Sequence, residues 1–414
     1  MSYIMDLGRS RLLMRTYSSP CNALVLALGG LAVFSCAGRA QTAEDFFRDD
    51  VLHELRLEIH PSDWQKLKAN FGDNTYYPCS LQWRGLLVED IAIRSRGTGS
   101  RNGQKPGLRV DFNRYEDKQR FLGLKSFVLD NLVQDPSLIR ERVSMALFRR
   151  LGIATPRESQ ARLYVNDAYM GLYLTIESVD KDFLKRTLGE DEGYLYDYQR
   201  KTEYRFEDLG PDPAAYSPVL FKPATHETKP EPEPLVAMIR TMNQAPINEF
   251  ESAMGEFLDL KRFLRHVAVE AFLGEIDGIV GFWGMNNFYL YRYAKSNRFE
   301  FIPWDKDVDF ISIEHPILYN VETNVLTRKA LAIPALRKAY MESLIEIAES
   351  AGGAGGWMEQ EMLRAYLQVR GAALADTTKP TTNENFEDHA TYLLQFARER
   401  SDWVRLQVAA EPVQ

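Results

Sequence analysis

The sequence predicts an α+β fold in two lobes, a sheet-rich N-terminal half followed by a helix-rich C-terminal half. Three observations carry this. Up to Glu177, apolar and polar residues alternate over short runs bounded by turn residues, which is the period of strands. Past Leu235 the apolar positions take helical spacing, as in Leu260, Phe263, Leu264, Val267, Ala268, Ala271 and Phe272. Between them, residues 205–234 end in KPATHETKPEPEP, a Pro- and Glu-rich stretch that reads as loop. The predicted lobes are therefore 44–178 and 179–410.

The elements follow in order. VLHELRLEI alternates as a strand, and PSDWQKLKANF continues as a short helix with Pro61 or Ser62 near its start. YYPCSLQW, LLVEDIAIRSR and GLRVDF read as three strands. The last two are joined by GTGSRNGQKPG, which lacks the GxxxxGK[ST] of a Walker loop. A Gly-rich connection can still fold over phosphates; an ordinary hairpin tip is the alternative. KSFVLDNL is a further strand. Asp135 is expected to cap a helix with Pro136 at its first position. That helix would bury Ile139, Val143, Ala146 and Leu147 and stop at Gly152. ARLYV and AYMGLYLTIE flank a hairpin turn at Asn166-Asp167. NNFYLYRY and FEFIPW form a second hairpin around AKSN, and the remainder is helical apart from DTTKPTTNENFED.

Composition narrows the function classes. Of 414 residues, 45% are apolar and 12% aromatic, as in ordinary globular proteins. A net charge of −8 argues against nucleic acid as a partner. At the N-terminus, Arg9, Arg11 and Arg15 precede CNALVLALGGLAVFSCAGRA, with small residues Gly38 and Ala40 before Gln41. This order predicts a signal peptide over residues 1–40 and an exported protein; an uncleaved anchor is the alternative. Cys36 offers a second outcome, a lipid anchor on the mature N-terminus, although the preceding Val-Phe-Ser is a weak lipobox. Cys21 and Cys36 lie in this leader, so a mature chain would keep only Cys79. An intrachain disulfide and a cysteine-based zinc site are then excluded.

The chemistry concentrates in FIPWDKDVDF, where Asp305, Asp307 and Asp309 occupy alternate positions after an apolar run. Alternate residues of an extended segment share a face. Carboxylates held that close call for a cation; a solvated acidic turn is the alternative. Counting from Asp305, the sixth residue is Phe310 and the twelfth Pro316, so this is no EF-hand. The hairpin brings Asn287, which opens one strand, to Asp305, which follows the other. Asp277 lies in the Gly-rich loop GEIDGIVGFWGMNN leading in. Asp, then Asn, then an Asp after a strand is the order protein kinases use to orient the acceptor hydroxyl and bind magnesium. None of the 6 histidines has metal-pair spacing.

With these pieces the chain resembles the CotH kinases, the spore coat protein H-like group of atypical protein kinases. The resemblance rests on IRSRGTGS, QKPGLRVDF, LKSFVLDNLVQDPSLIRERVSMALFRRLGI, LYVNDAYMGLYLTIESVDKDFL, NNFYLY and FIPWDKD, in that order. It implies a two-lobed protein-kinase-like fold that binds ATP with Mg2+ or Mn2+ and phosphorylates Ser or Thr of a protein substrate. By the same resemblance Asp277 is catalytic, and Asn287, Asp305 and Asp307 hold the metal. Arg96, Lys105, Arg109 and Glu177 are the expected nucleotide contacts. Where the family often carries a second basic residue beside Lys105, this chain has Pro106 and Gly107, so Lys105 and Arg109 compete for the phosphates. Arg96 reads either as a phosphate fork or as a strand-edge charge, and Glu177 either as a nucleotide contact or as a strand cap. Glu141 points opposite Ile139, Val143 and Leu147 on a helical wheel, which predicts an exposed charge; pairing with the basic phosphate residue, as kinases pair a Lys with a helix Glu, is the alternative. Two other functions share these residues: a surface adhesion or scaffold protein on a kinase-like fold, and a transferase moving adenylate.

Overall fold

The computed structural model describes residues 40–412; the expected leader, with Cys21 and Cys36, falls outside them but for Ala40. The alternation of the N-terminal half is resolved by closing a barrel. Its strands are β1 (His53–Ile59), β2 (Tyr77–Trp83), β3 (Leu86–Ser95), β4 (Leu108–Asp111), β5 (Ser126–Asp130), β6 (Glu158–Val165) and β7 (Ala168–Glu177). They run in the order β1-β2-β3-β4-β5-β7-β6. All pairings are antiparallel except β1 with β6, where Leu55 faces Leu163 in parallel. Closure removes the sheet edges. Leu57, Leu81, Trp83, Ile93, Val110 and Phe127 fill the inside. Phe46, from the short helix α1 (Ala43–Phe46), packs edge-on to Trp83 and Phe121. Helix α2 (Pro61–Ala69) buries Trp64 and Leu67.

β7 serves two cores. Tyr173 belongs to the barrel interior, while Leu172, Leu174 and Ile176 face the helices. Each of these apolar side chains contributes about 1.5–3 kcal/mol by leaving water. A register shift helps β7 do this, since Leu163 pairs with Gly171 but Tyr164 pairs with Tyr169. Against this outer face packs α3 (Arg140–Arg150), through Val143 and Leu147. The helices that follow are α4 (Lys181–Leu188), whose Phe183 and Leu184 join a separate small cluster, and α5 (Glu233–Gln244), α6 (Ile247–Met254), α7 (Leu260–Leu273), α8 (Val325–Leu331), α9 (Pro334–Ala351), α10 (Trp357–Ala375) and α11 (Asn383–Ala410), which share the larger core. Among the described residues no helix is long and apolar enough to cross a membrane.

The helix-rich half carries its own antiparallel sheet. β8 (Tyr194–Tyr198), β9 (Phe221–Pro223), β10 (Phe288–Arg292) and β11 (Phe299–Pro303) lie in the order β11-β10-β8-β9. The fold is thus mixed α/β, a seven-stranded barrel and a four-stranded sheet with helices. Val128 of the barrel and Phe301 of the sheet belong to one apolar cluster, and the chain from Gln41 on is one compact unit.

One helix boundary differs from expectation. α3 begins at Arg140, not at Pro136. Asp135 instead accepts from the backbone of Ser137 (2.8 Å) and Arg140 (2.7 Å), and Leu138 sits at φ 61°. A left-handed residue cannot continue a right-handed helix, so the helix starts after it.

Candidate active site

The site is built where the loop after α7 meets the segment after β11. α7 stops at Gly274, which is left-handed at φ 68°. The loop then folds back on its own helix: Glu270 accepts from the Ile279 N–H at 2.9 Å, and Glu275 accepts from the Asp277 N–H at 2.8 Å. A Cβ at residue 278 would lie 2.6 Å from the Glu270 carboxylate, so glycine is required there. Lys306 bridges the two glutamates, 2.8 Å from Glu270 and 3.3 Å from Glu275, and all three are buried. Burial opposes the Lys306 charge, but Glu270 and Glu275 outweigh it and hold the ammonium above its ordinary range. Burial likewise opposes the Glu270 charge, yet Lys306 and His266 pull that carboxyl down to about 2.

This lock fixes Asp277, whose side chain is held from both sides. One carboxylate oxygen accepts from the Asn286 amide at 2.9 Å and the Asn287 amide at 3.2 Å. The other is taken by the Arg200 guanidinium. The β10–β11 ladder then supplies the rest of the constellation. Phe288 pairs with Pro303, and the Trp304 N–H donates to the Asn287 carbonyl at 3.1 Å. Asn287 (φ 59°) and Asp305 (φ 53°) are both left-handed, a conformation that Asn and Asp tolerate best among residues with a Cβ.

Beside Asp277 lies a surplus of negative charge. Among the described residues no hydrogen-bond donor reaches the Asp305 or Asp307 carboxylates. Burial, then the charges of Asp130 and Asp277 against the opposing pull of Arg96, push Asp305 up to about 6. Burial and the charges of Asp305 and Asp130 put Asp307 well above the carboxylate range. Arg96 donates to Asp130 at 3.1 Å, and its guanidinium stands 5.8 Å from the centre of the Trp304 ring. Asp309 leaves this group; it is fully buried and faces Glu275, which, after burial, is what raises it.

Glu141 overturns its sequence reading. It is 1% exposed, and neither carboxylate oxygen has a hydrogen-bond partner. Burial, then Glu158, Asp305 and Asp130, raise it well above the carboxylate range. The wheel argument fails because α3 buries more than its apolar stripe: Glu141, Arg142 and Ser144 are buried along with Val143 and Leu147.

The expected nucleotide contacts divide. Arg96 joins the aspartates. Arg109 donates to Ser126 at 3.0 Å and keeps 36% of its side chain exposed. Lys105 does not join them: its fully buried ammonium pairs with Asp376 at 2.6 Å. Glu177 is clamped by Arg157 at 2.6 Å and by Arg186, which ties β7 to α4 instead of leaving a free carboxylate. Asp130, Arg200, Glu270 and Lys306 were missed in the sequence. Only Asp130 and Lys306 carried a signal, as a carboxylate ending an apolar strand and as the lysine inside DKD. A surface cavity of about 420 Å³ lined by Asp49, Arg149, Arg150, Trp357 and Glu361 contains none of these residues.

The donor set suits a hard divalent cation. Asp305 and Asp307 offer carboxylate oxygens without partners, and Asn287, having given its amide N–H to Asp277, keeps its side-chain oxygen free. Among the described residues no three His, Cys, Asp or Glu side chains form a ready-made metal cage. Magnesium does not need one; it takes one or two carboxylates and completes its shell with water and substrate phosphates.

Comparison with known proteins agrees with the sequence. The chain is 26% identical over 364 residues to the inner spore coat protein H of Bacillus subtilis (strain 168), covering 84% of this chain and 96% of that protein. Among solved structures it pairs with the Helicobacter pylori proinflammatory kinase CtkA at 12% identity. That match covers 70% of this chain and 93% of the other, with a TM-score of 0.30. The family model described as CotH kinase protein matches residues 93–404, a span that contains Asp277, Asn287, Asp305 and Asp307, and the chain belongs to that family.

Proposed function

We propose that this protein is an exported ATP-dependent kinase that transfers the γ-phosphoryl group to Ser or Thr of a protein substrate. The observation that carries the reading is Asp277, fixed by two asparagine amides beside Asp305 and Asp307, whose carboxylates have no hydrogen-bond partners among the described residues. In this reading the barrel, within 44–178, is the nucleotide-binding lobe of a kinase-like pair, and 179–410 is the catalytic and metal-binding lobe. The acceptor hydroxyl sits on Asp277, which orients it and takes its proton. A bond forms from the acceptor oxygen to the γ-phosphorus as the bond to the β–γ bridging oxygen breaks, and that electron pair leaves with ADP. Arg96 and Arg109 offset phosphate charge. Magnesium or manganese, held by Asp305, Asp307 and the Asn287 side-chain oxygen, would neutralise the triphosphate. Export is supported by the basic, apolar, small-residue order of 9–40 and by a relative named as an inner spore coat protein.

Asp277→Asn tests the reading. It is expected to keep ATP affinity within a few-fold and to lose about 100-fold or more in rate, the scale of a positioned acid–base group. Rate intact with a lower melting temperature would make Asp277 a loop-fixing residue only. Mass spectrometry of a candidate acceptor after incubation with ATP separates phosphate from adenylate. No addition of either to any acceptor, or to the protein itself, would favour a binding protein.

A further inference from the structure

The Arg200 contact is unassigned by the mechanism above, and it stands at the centre of the chemistry. The guanidinium lies on the very carboxylate that is to receive the acceptor hydroxyl. Two features separate it from a static ion pair. Asp277 is fixed through its other oxygen by Asn286 and Asn287, whereas among the described residues the Arg200 side chain has no hydrogen-bond partner other than Asp277 and is 33% exposed. Its guanidinium also lies 5.9 Å from the centre of the Trp283 ring, and Trp283 is itself 53% exposed. Arg205 holds the backbone that carries this ring by donating to the carbonyls of Gly281 (3.0 Å) and Phe282 (2.9 Å). Arg200 can therefore move past this aromatic face without disturbing Asp277, which its asparagine partners hold.

A second argument comes from the cations. Lys105 is committed to Asp376, Arg96 is paired with Asp130, and Arg109 donates to Ser126. In-line transfer puts the γ-phosphoryl group in contact with the hydroxyl that sits on Asp277. A guanidinium that reaches Asp277 therefore reaches the equatorial oxygens of that group, where its planar donors match the geometry.

We propose that Arg200 is a catalytic residue for the γ-phosphoryl group: it caps Asp277 when no triphosphate is bound and moves to the transferring phosphoryl when one is. This rests on the phosphotransfer reading and adds to Arg96 and Arg109 a cation that reaches the transferring γ-phosphoryl group itself. The transfer itself is unchanged, and Arg200 exchanges no proton in it.

The test compares ATP with ADP binding by calorimetry in the full chain, with phosphotransfer rates and melting curves on the same samples. The wild type is expected to prefer ATP. Arg200→Gln should lose that preference while keeping ADP affinity within a few-fold, and should lose about 100-fold in rate, as when one preorganised donor is removed. Asp277→Asn should increase the preference for ATP, because it releases Arg200. If Arg200→Gln does not fold, Arg200→Lys, which keeps the charge, supplies the same ratio: a reduced preference supports the proposal and an unchanged one overturns it. A purely structural pair predicts lower melting temperatures in both variants with the ATP-to-ADP ratio unmoved, and that result overturns the proposal alone. A wild type that binds no ATP overturns the phosphotransfer reading and this proposal with it.

Discussion

Lys306→Met tests whether the lock beneath the aspartates holds the site together. Methionine has nearly the length of lysine, so packing is largely kept and the charge is what disappears. Glu270 and Glu275 are then left buried without a counter-ion. Breaking a buried pair in this way costs about 3–5 kcal/mol. Unfolding a chain of this size carries an entropy of about 0.8 kcal/mol/K at about 2.1 cal/mol/K per residue, so the midpoint should fall by about 4–6 °C. Glu270→Gln in the same background removes one stranded charge and should recover part of the loss, since the Gln side-chain oxygen can still accept from Ile279. The sign with pH is fixed by the shifts. Glu270 is lowered from 4.5 to about 2, so its contribution is present above 4.5 and fades as pH falls toward 2. Lys306 is raised, so its share is intact at neutral pH and is lost only above the ordinary lysine range. Calorimetric melts at pH 7 and at pH 3 measure the Glu270 share. A midpoint within about 1 °C of wild type at pH 7 would refute the lock, as would a double variant that melts no higher than the single one.

Three further outcomes are expected. Asp305 is raised from 3.8 to about 6, so the folded state binds the extra proton and stability should fall as pH rises through that window, by at most about 3 kcal/mol. Magnesium should relieve this penalty: a magnesium-dependent rise in melting temperature at pH 7.5, absent below pH 5 and absent in Asp305→Ala, is the expected result, and equal rises in the variant would refute the metal assignment. Lys105→Met should lower the melting temperature and leave ATP affinity unchanged, because its partner is Asp376; weaker ATP binding at constant stability would return Lys105 to the phosphates. Gly171→Ala should destabilise by about 1–3 kcal/mol or more, since residue 171 sits at φ 104° and a Cβ there would lie 2.3 Å from the Asp376 carboxylate; a neutral melt would contradict that geometry.

What the sequence could show depended on how local each signal was. The hairpins at Asn166-Asp167 and around AKSN were legible because alternation and turn chemistry act over a dozen residues. The second hairpin delivered Asn287 and Asp305 together, since a ladder fixes its own ends. Other features have distant causes. Lys105 finds Asp376 across 271 residues and Arg200 finds Asp277 across 77, and nothing near Lys105 or Arg200 announces either partner. Asp135 resembles a helix cap locally, but the left-handed Leu138 after it moves the helix start. Glu141 was misplaced because a helical wheel assumes that the face opposite the apolar stripe meets water; in α3 that face carries buried Glu141, in the field of Glu158, Asp305 and Asp130.

The segment DKD shows how the charge of the site is divided. Lys306 lies between Asp305 and Asp307 in sequence, and pairing with them would be the shortest way to neutralise all three. It turns instead to Glu270 and Glu275. One lysine thus fixes the loop that carries Asp277, and the aspartates on either side stay without a donor. The arrangement costs stability, since Asp305, Asp307 and Glu141 are all raised by burial and by neighbouring carboxylates, Asp130 among them each time. Had Lys306 neutralised the aspartates, the loop lock would be gone and so would the demand for an external cation. The fold therefore supplies a cation where geometry must be held, at Lys306, and among the described residues gives Asp305 and Asp307 no direct cationic partner. A protein that only used this surface to adhere would gain from the opposite choice, and that asymmetry favours catalysis as the purpose of the site.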